Sequence, residues 1–217
     1  MSGYDPAEFW ASKLRKQGPA YVASLKDAGK QQRVFESALC EAAGYLDLHP
    51  SERTVLDYGC GVGRFARTLA PVPPTEGGYL PGVYVGLDLL PEALEMARTE
   101  HGAGERGSRQ MLFDLASSLA GRVDPCSDDG FRFDAAFSVT CLQHVEPEEV
   151  RRVCALLGRA AEAVVLVEDA NPEGAPRARH MWYRSPVEYA QWLGLQVVRT
   201  WTIDAERPGS HWVGIFR

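Results

Sequence analysis

The sequence predicts an α/β fold: a doubly wound, mostly parallel sheet of seven strands, with helices on both faces and an antiparallel hairpin at the C-terminus. Three observations predict it. Strand and helix patterns alternate from about residue 54 to residue 169, the cadence of βαβ units and parallel pairing. The strand patterns are short apolar runs that read as buried, as strands covered on both faces do. The ending then changes character, because the last two strand patterns are joined by "DAERPG", which has no room for a crossover helix. Those two strands must pair antiparallel.

The elements follow in order. Residues 6–17, "PAEFWASKLRKQ", read as a helix with Pro6 tolerated in the first turn. A longer helical pattern runs from about Ser24 to Ala43 and stops at Gly44. "TVLDYG" (54–59) is a buried strand and "RFARTLA" (64–70) a helix. "PVPPTEGGYLPG" (71–82) is a loop dense in proline and glycine. "VYVGLD" (83–88) is a strand, "PEALEMARTE" (91–100) a helix and "RQMLFD" (109–114) a strand. The next strand spans Asp134 to Val139. "PEEVRRVCALLGRA" (147–160) places Val150, Val153, Leu156 and Leu157 at helical spacing, and "AVVLVED" (163–169) is the fifth strand. "SPVEYAQWL" (185–193) opens with a capping box, Ser185 and Glu188 around Pro186. "LQVVRTWTI" (195–203) and "SHWVGIF" (210–216) form the closing hairpin. Residues 1–49 are expected as a helical lid or cap and residues 50–217 as the α/β domain. Trp10 and Tyr21 have two readings, as part of that lid or as packing on the domain's outside.

Composition bounds the function. The chain has 217 residues, enough to bury one full α/β core. Its 29 acidic and 23 basic side chains leave a net charge of −6. That balance argues against a nucleic-acid partner, which needs a clustered basic face. The five cysteines, Cys40, Cys60, Cys126, Cys141 and Cys154, are odd in number, scattered and without a CxxC pair. This is the pattern of free thiols in a reducing compartment, not of a disulfide framework or zinc site. "MSGYDPAEFW" has no leader pattern, and no apolar run approaches the roughly 20 residues of a membrane span. The expectation is a cytoplasmic protein, monomer or homodimer, with no membrane partner.

The stretch "VLDYGCGVGRF" (55–65) carries the chemistry. A dinucleotide-binding loop reads GxGxxG, its third glycine allowing close helix packing. Laid on Gly59 and Gly61, that template puts Arg64 where the third glycine belongs. This loop reads GxGxG through Gly63 and is preceded by Asp57, a carboxylate that would repel a phosphate and could meet an ammonium. Asp88 ends the second strand, where a carboxylate can accept both ribose hydroxyls of an adenosine. Its distance from the loop exceeds the usual ~20 residues because residues 71–82 intervene. Asp114, followed by Leu115, ends the third strand, where an acid can accept from an adenine amino group. Singly, each acid could be a solvated strand end or a helix cap; three at successive strand ends beyond one glycine loop point to a ligand.

Together these stretches make the chain resemble a class I S-adenosylmethionine-dependent methyltransferase with a Rossmann-like domain. "VLDYGCGVGRFAR" resembles that superfamily's first motif, "YVGLDLLPEALEMAR" its second, "MLFDLA" its third and "FDAAFSVTCLQHV" the next. The resemblance covers roughly residues 50–217 and implies S-adenosylmethionine as the cofactor. It implies that Asp57, Gly59, Cys60, Gly61 and Gly63 line the methionine end and that Asp88 and Leu89 hold the ribose. Asp114 and Leu115 would hold the adenine, and Val139 and Thr140 would border the donor. Arg64 has two readings, on the donor carboxylate or facing solvent from the helix.

Methyl transfer from a sulfonium is a direct displacement, so the protein's task is positioning in a dry cavity. A base is needed only if the acceptor must lose a proton. His144 is the candidate, because it follows the fourth strand and imidazole titrates nearest neutrality; its other reading is a packed or capping residue before the 147–160 helix. Gln143 and Trp10 would face the acceptor. Glu168, Asp169 and Asn171 raise a divalent-metal site like that of catechol-type methyltransferases. Adjacent carboxylates on a strand point to opposite faces, so no metal is expected and Glu168 reads as an acceptor-binding acid. In "NPEGAPRARHMWYRSP" (171–186), Arg177, Arg179 and Arg184 alternate with His180, Trp182 and Tyr183. That mix suits an aromatic or carboxylate-bearing acceptor, or else a solvated loop.

"SHWVGIF" resembles the threonine-histidine-tryptophan loop of protein arginine methyltransferases. It lies on the last strand, however, and their paired-glutamate loop is missing, so His211 reads as structural. An "NPPY"-type signature is absent, with "SVTC" in its place, which together with the acidic balance argues against DNA as an acceptor. The leading expectation is transfer to an oxygen or nitrogen of a small biosynthetic metabolite. A peptide or protein side chain as acceptor, or a non-catalytic donor-binding protein, remain the alternatives.

Overall fold

The computed structural model describes residues 4–18, 28–49, 53–70, 82–101, 110–122, 132–170, 181–204 and 210–217. Helix α1 (Pro6–Gln17) starts where the Asp5 carboxylate accepts from the N–H groups of Ala7 and Glu8, at 2.9 and 3.2 Å. Helix α2 (Ala28–Tyr45) is followed by β1 (Val55–Tyr58), α3 (Ala66–Leu69), β2 (Val83–Asp88), α4 (Pro91–His101) and β3 (Gln110–Leu115). Next come α5 (Leu119–Arg122), β4 (Phe133–Val139), α6 (Pro147–Ala160), β5 (Ala161–Asp169), α7 (Pro186–Leu193), β6 (Val197–Ile203) and β7 (His211–Phe216). The capping box of α7 is present, with Ser185 and Glu188 bonding each other's backbone N–H.

The seven strands form one sheet in the order β3-β2-β1-β4-β5-β7-β6. The first five run parallel, and β7 lies antiparallel to both β5 and β6. The order reverses between β1 and β4, and such a switch point opens a crevice beyond the carboxyl ends of the strands. Both faces are covered. On one, Phe35 and Leu39 of α2, Leu69 of α3 and Leu94 of α4 pack on Val55, Tyr84 and Phe137. On the other, Val150 and Leu157 of α6 with Tyr189 of α7 pack on Leu56, Leu87 and Leu166. Helix α2 is therefore part of the sheet's own core, while α1 sits at the crevice.

Several boundaries differ from the sequence reading. Tyr21 and, of the expected second helix, residues 24–27 lie outside the described residues. Its end runs through Gly44 to Tyr45, and Asp47, at φ +55°, makes the reversal that lets Leu48 N–H reach Ala43 O. Strand β5 begins at Ala161, two residues before its apolar run. The short helix α5 has no counterpart in the sequence pattern.

Candidate active site

The glycine loop leaves β1 and is clamped to the end of β2. The N–H groups of Gly59 and Cys60 both donate to Leu87 O (2.7 and 3.0 Å), Gly61 N–H donates to Asp88 Oδ2 (2.8 Å) and Gly63 N–H to Cys60 O (3.0 Å). Gly59, Gly61 and Gly63 all have left-handed φ values, +79°, +57° and +78°. A side chain at Gly59 would also strike the Cys141 thiol, and a Cβ at Gly63 would lie 2.6 Å from the His101 ring. The alternation of glycines is thus the condition for three successive reversals in a tight space.

This loop forms one wall of a cavity of about 670 Å³ at the switch point. Gly59, Gly61, Asp88 and Leu89 line that wall, joined by Ala116 and Ser117 beyond β3. The far wall holds Val139, Thr140, Gln143, His144, Asp169 and His211, and α1 closes it with Trp10 beside Tyr4. Thr140 is in the left-handed region at φ +50°, uncommon for a branched residue, with its N–H on Val167 O at 2.7 Å. Asp88 accepts from Leu90 N–H at Oδ1 (2.9 Å) and from Gly61 N–H at Oδ2, and the backbone of Leu89 bonds it as well. Burial raises its pKa against these three bonds.

Other expected residues sit elsewhere. Asp57 is buried behind the loop and accepts from Tyr84 Oη at 2.7 Å; burial, relieved in part by that bond, pushes its pKa up to about 7. Cys60 and Gly63 are buried inside the loop and outside the cavity lining. Arg64 neither lines the cavity nor faces solvent freely. Its guanidinium bonds Gln32 and lies over Phe35 and Phe65, tying α2 to the loop. Asp114 accepts from Leu115 N–H, and neither residue lines the cavity. Glu168 is not at the cavity either: its two oxygens accept from Leu142 and Gln143 N–H (3.1 and 3.0 Å). Burial first, with the Asp169 charge, pushes Glu168 up to about 8. Tyr183 is half-buried away from the lining, and His180, Asn171, Arg177 and Arg179 lie outside the described residues. Arg184 donates to Leu142 O and Val145 O, both at 2.6 Å, and so clamps the turn that carries His144.

On the far wall a connected set of polar groups appears. The His144 ring meets Trp10 edge-on at 4.9 Å. Gln143 Oε1 accepts from Asp169 N–H (2.8 Å), which orients the amide so that its Nε2 donates to Asp169 Oδ2 (3.1 Å) and lies 3.5 Å from His144 Nε2. His211, read from the sequence as structural, is buried yet lines the cavity. It meets Asp169 Oδ1 at 2.5 Å and Ser210 Oγ at 2.9 Å. The sequence held one clue to it, because a reversed last strand begins at the edge where parallel strands end. Cys141 also touches the cavity, but burial pushes its thiol well above the ordinary value, so it stays uncharged.

Comparison with known proteins bears on the family and the fold. The family described as "Methyltransferase domain" matches residues 28–205. No curated protein matches the chain by sequence. Among solved structures, magnesium protoporphyrin IX methyltransferase from Synechocystis PCC 6803 with bound S-adenosylhomocysteine aligns at TM-score 0.66 and 18% identity, over 96% of this chain and 94% of that one. Phosphoethanolamine N-methyltransferase 1 of Haemonchus contortus aligns at TM-score 0.71 and 13% identity, over 96% of this chain and 47% of that one. DhpI in complex with S-adenosylhomocysteine aligns at 0.58 and 18%, over 97% and 95%. At these identities the likeness is one of fold, and the shared fold is that of class I methyltransferases. With the family match over most of its length, the chain belongs to the methyltransferase domain family.

Proposed function

We propose that the chain is an S-adenosylmethionine-dependent methyltransferase acting on an oxygen or nitrogen of a small molecule. One observation carries this reading: the glycine loop, Asp88 and a polar acceptor wall face one another across a single cavity. The loop fits an adenosyl amino acid. The amides of Gly59, Cys60, Gly61 and Gly63 are all spent on protein oxygens, and α3 is only four residues long, so these amides cannot cradle a pyrophosphate. Asp88 presents its carboxylate to the ribose hydroxyls, and Leu89 with Ala116 and Ser117 supplies an apolar and polar rim beside it.

When bound, the cofactor supplies a methyl group on a positive sulfur. The chain's residues then exclude water, through Tyr4 and Trp10, and fix the acceptor against the wall of Gln143 and Asp169. His144 takes the acceptor's proton where one must leave. A cavity of about 670 Å³ is in the range of small-molecule sites, which supports a metabolite over a protein surface.

Incubation with methyl-labelled cofactor and a panel of hydroxyl and amine metabolites tests the proposal. Label is expected in a small molecule, and His144→Ala should lower turnover by roughly 10²–10⁴-fold if it is the base. Label found only in protein or RNA would overturn the reading.

A further inference from the structure

We propose that Asp169 anchors a cationic amine, making the acceptor an organic amine and the transfer one to nitrogen; this rests on the methyltransferase reading above. Asp169 is the last residue of β5, lies opposite His211 in the antiparallel register, and presents its carboxylate to the cavity. His211 Nε2 holds Oδ1 and Gln143 Nε2 holds Oδ2. These bonds fix the carboxylate's direction and leave a lone pair on each oxygen for a ligand. Asp88 and Asp169 end strands three places apart in the sheet, roughly 14 Å at ~4.8 Å per strand, so they serve different ends of the cavity.

Carboxylates outnumber the basic groups on the wall. Among the described residues its carboxylates are Asp88, Glu146, Glu149 and Asp169; its arginine, Arg152, is bridged to Glu149 at 2.6 Å, and its histidines are His144 and His211, the latter paired with Asp169. Arg184, the described arginine of the segment that looked suited to a carboxylate-bearing acceptor, is spent on two carbonyls. Trp10, Tyr4 and Phe35 add aromatic surface to the same cavity. A carboxylate beside aromatic faces suits an ammonium, whereas an anionic acceptor would meet like charge.

The chemistry balances. An ammonium has no lone pair, so one N–H proton first passes to the His144 imidazole. The freed pair forms the N–C bond while the C–S bond breaks and its electrons go to sulfur. A methylated ammonium and a neutral thioether result, and His144 returns its proton to water. Asp169 keeps its charge throughout and faces a cation before and after.

Three probes of one size and different charge decide the matter: 2-phenylethylamine, 2-phenylethanol and phenylacetate, titrated calorimetrically into the full chain saturated with S-adenosylhomocysteine. The amine should bind about tenfold or more tighter than the alcohol, with the carboxylate weakest. Asp169→Asn should collapse the amine-to-alcohol ratio, and Asp169→Glu should restore part of it. Equal or tighter binding of the alcohol or carboxylate, or no binding of the amine, overturns the proposal, and the wild-type series alone decides this even if a variant fails to fold. Homocysteine-nucleoside binding without amine preference removes the anchor alone; no such binding removes the methyltransferase reading and the anchor with it.

Discussion

Asp57 shows what a loop of this kind does to a single carboxyl. It is about 1% exposed, its hydrogen bond comes from Tyr84, and the Asp88 charge acts on it. Burial, with the Asp88 charge, outweighs the Tyr84 bond and lifts its pKa from the ordinary carboxyl value to about 7. A group raised on folding contributes stability that is full below its unfolded pKa, near 4, and is lost as pH rises through about 7. Asp57→Asn keeps an oxygen for the Tyr84 hydroxyl and carries no charge. Its melting temperature relative to wild type should therefore climb between pH 5 and pH 8; a constant difference would mean that the carboxyl titrates normally. At this scale, legibility depends on parity. Asp57, expected at the methionine end, lies behind the loop against Tyr84, whereas Asp88 and the left-handed turns of the glycines are readable because such a turn beyond an apolar strand has few solutions. Asp114 is not, because β3 runs one residue further and Ala116 and Ser117 take its place at the cavity. Asp169, not Glu168, lines the cavity for the same reason. A strand buried on both faces has no period-two signal to say which of two neighbouring acids faces the crevice.

Among the elements, α6 and α7 are bound by a close approach that a single methyl group would break. Gly158 of α6 faces the backbone carbonyl of Leu193 at the end of α7, and a Cβ there would collide with that oxygen. Backbone cannot swing aside as a side chain can, so Gly158→Ala should cost about 1–3 kcal/mol in urea denaturation, although alanine is the better helix former. Gly121 of α5, whose would-be Cβ has no atom of the described residues beyond its own helix backbone and chain neighbours within 4 Å, supplies the control. Its alanine variant should be neutral or stabilised by up to ~1 kcal/mol. A neutral Gly158→Ala would show that the two helices part freely. Element identity is legible where the pattern is long: α6 and β2 can be read to the residue, because apolar periodicity or a proline and glycine boundary marks each end. Helix α5, of four residues, has too few positions for any period to register.

For the molecule as a whole, sheet topology decides which ligand the crevice accepts. The order reversal between β1 and β4 opens the crevice, and the antiparallel β7 brings its first residue, His211, to the edge where β1, β2, β4 and β5 end. The glycine-loop wall can be read from motifs because it is local, one loop and one strand end. The far wall cannot, because Asp169, Gln143, His144 and His211 meet only through strand pairing and a clamped turn. The same topology separates an adenosyl amino acid from a dinucleotide. A dinucleotide needs free loop amides at a helix N-terminus, yet here the loop amides are bonded internally and Arg64 fills the third-glycine position, stacked on Phe35 and Phe65. S-adenosylhomocysteine at about 100 times its dissociation constant should add roughly 2.7 kcal/mol of stability, raising the melting temperature of a chain this size by roughly 5–10 °C. NAD at the same concentration should leave it unchanged. A shift with NAD alone would mean that the loop amides release their protein partners to bind a pyrophosphate, and the donor reading would fall with them.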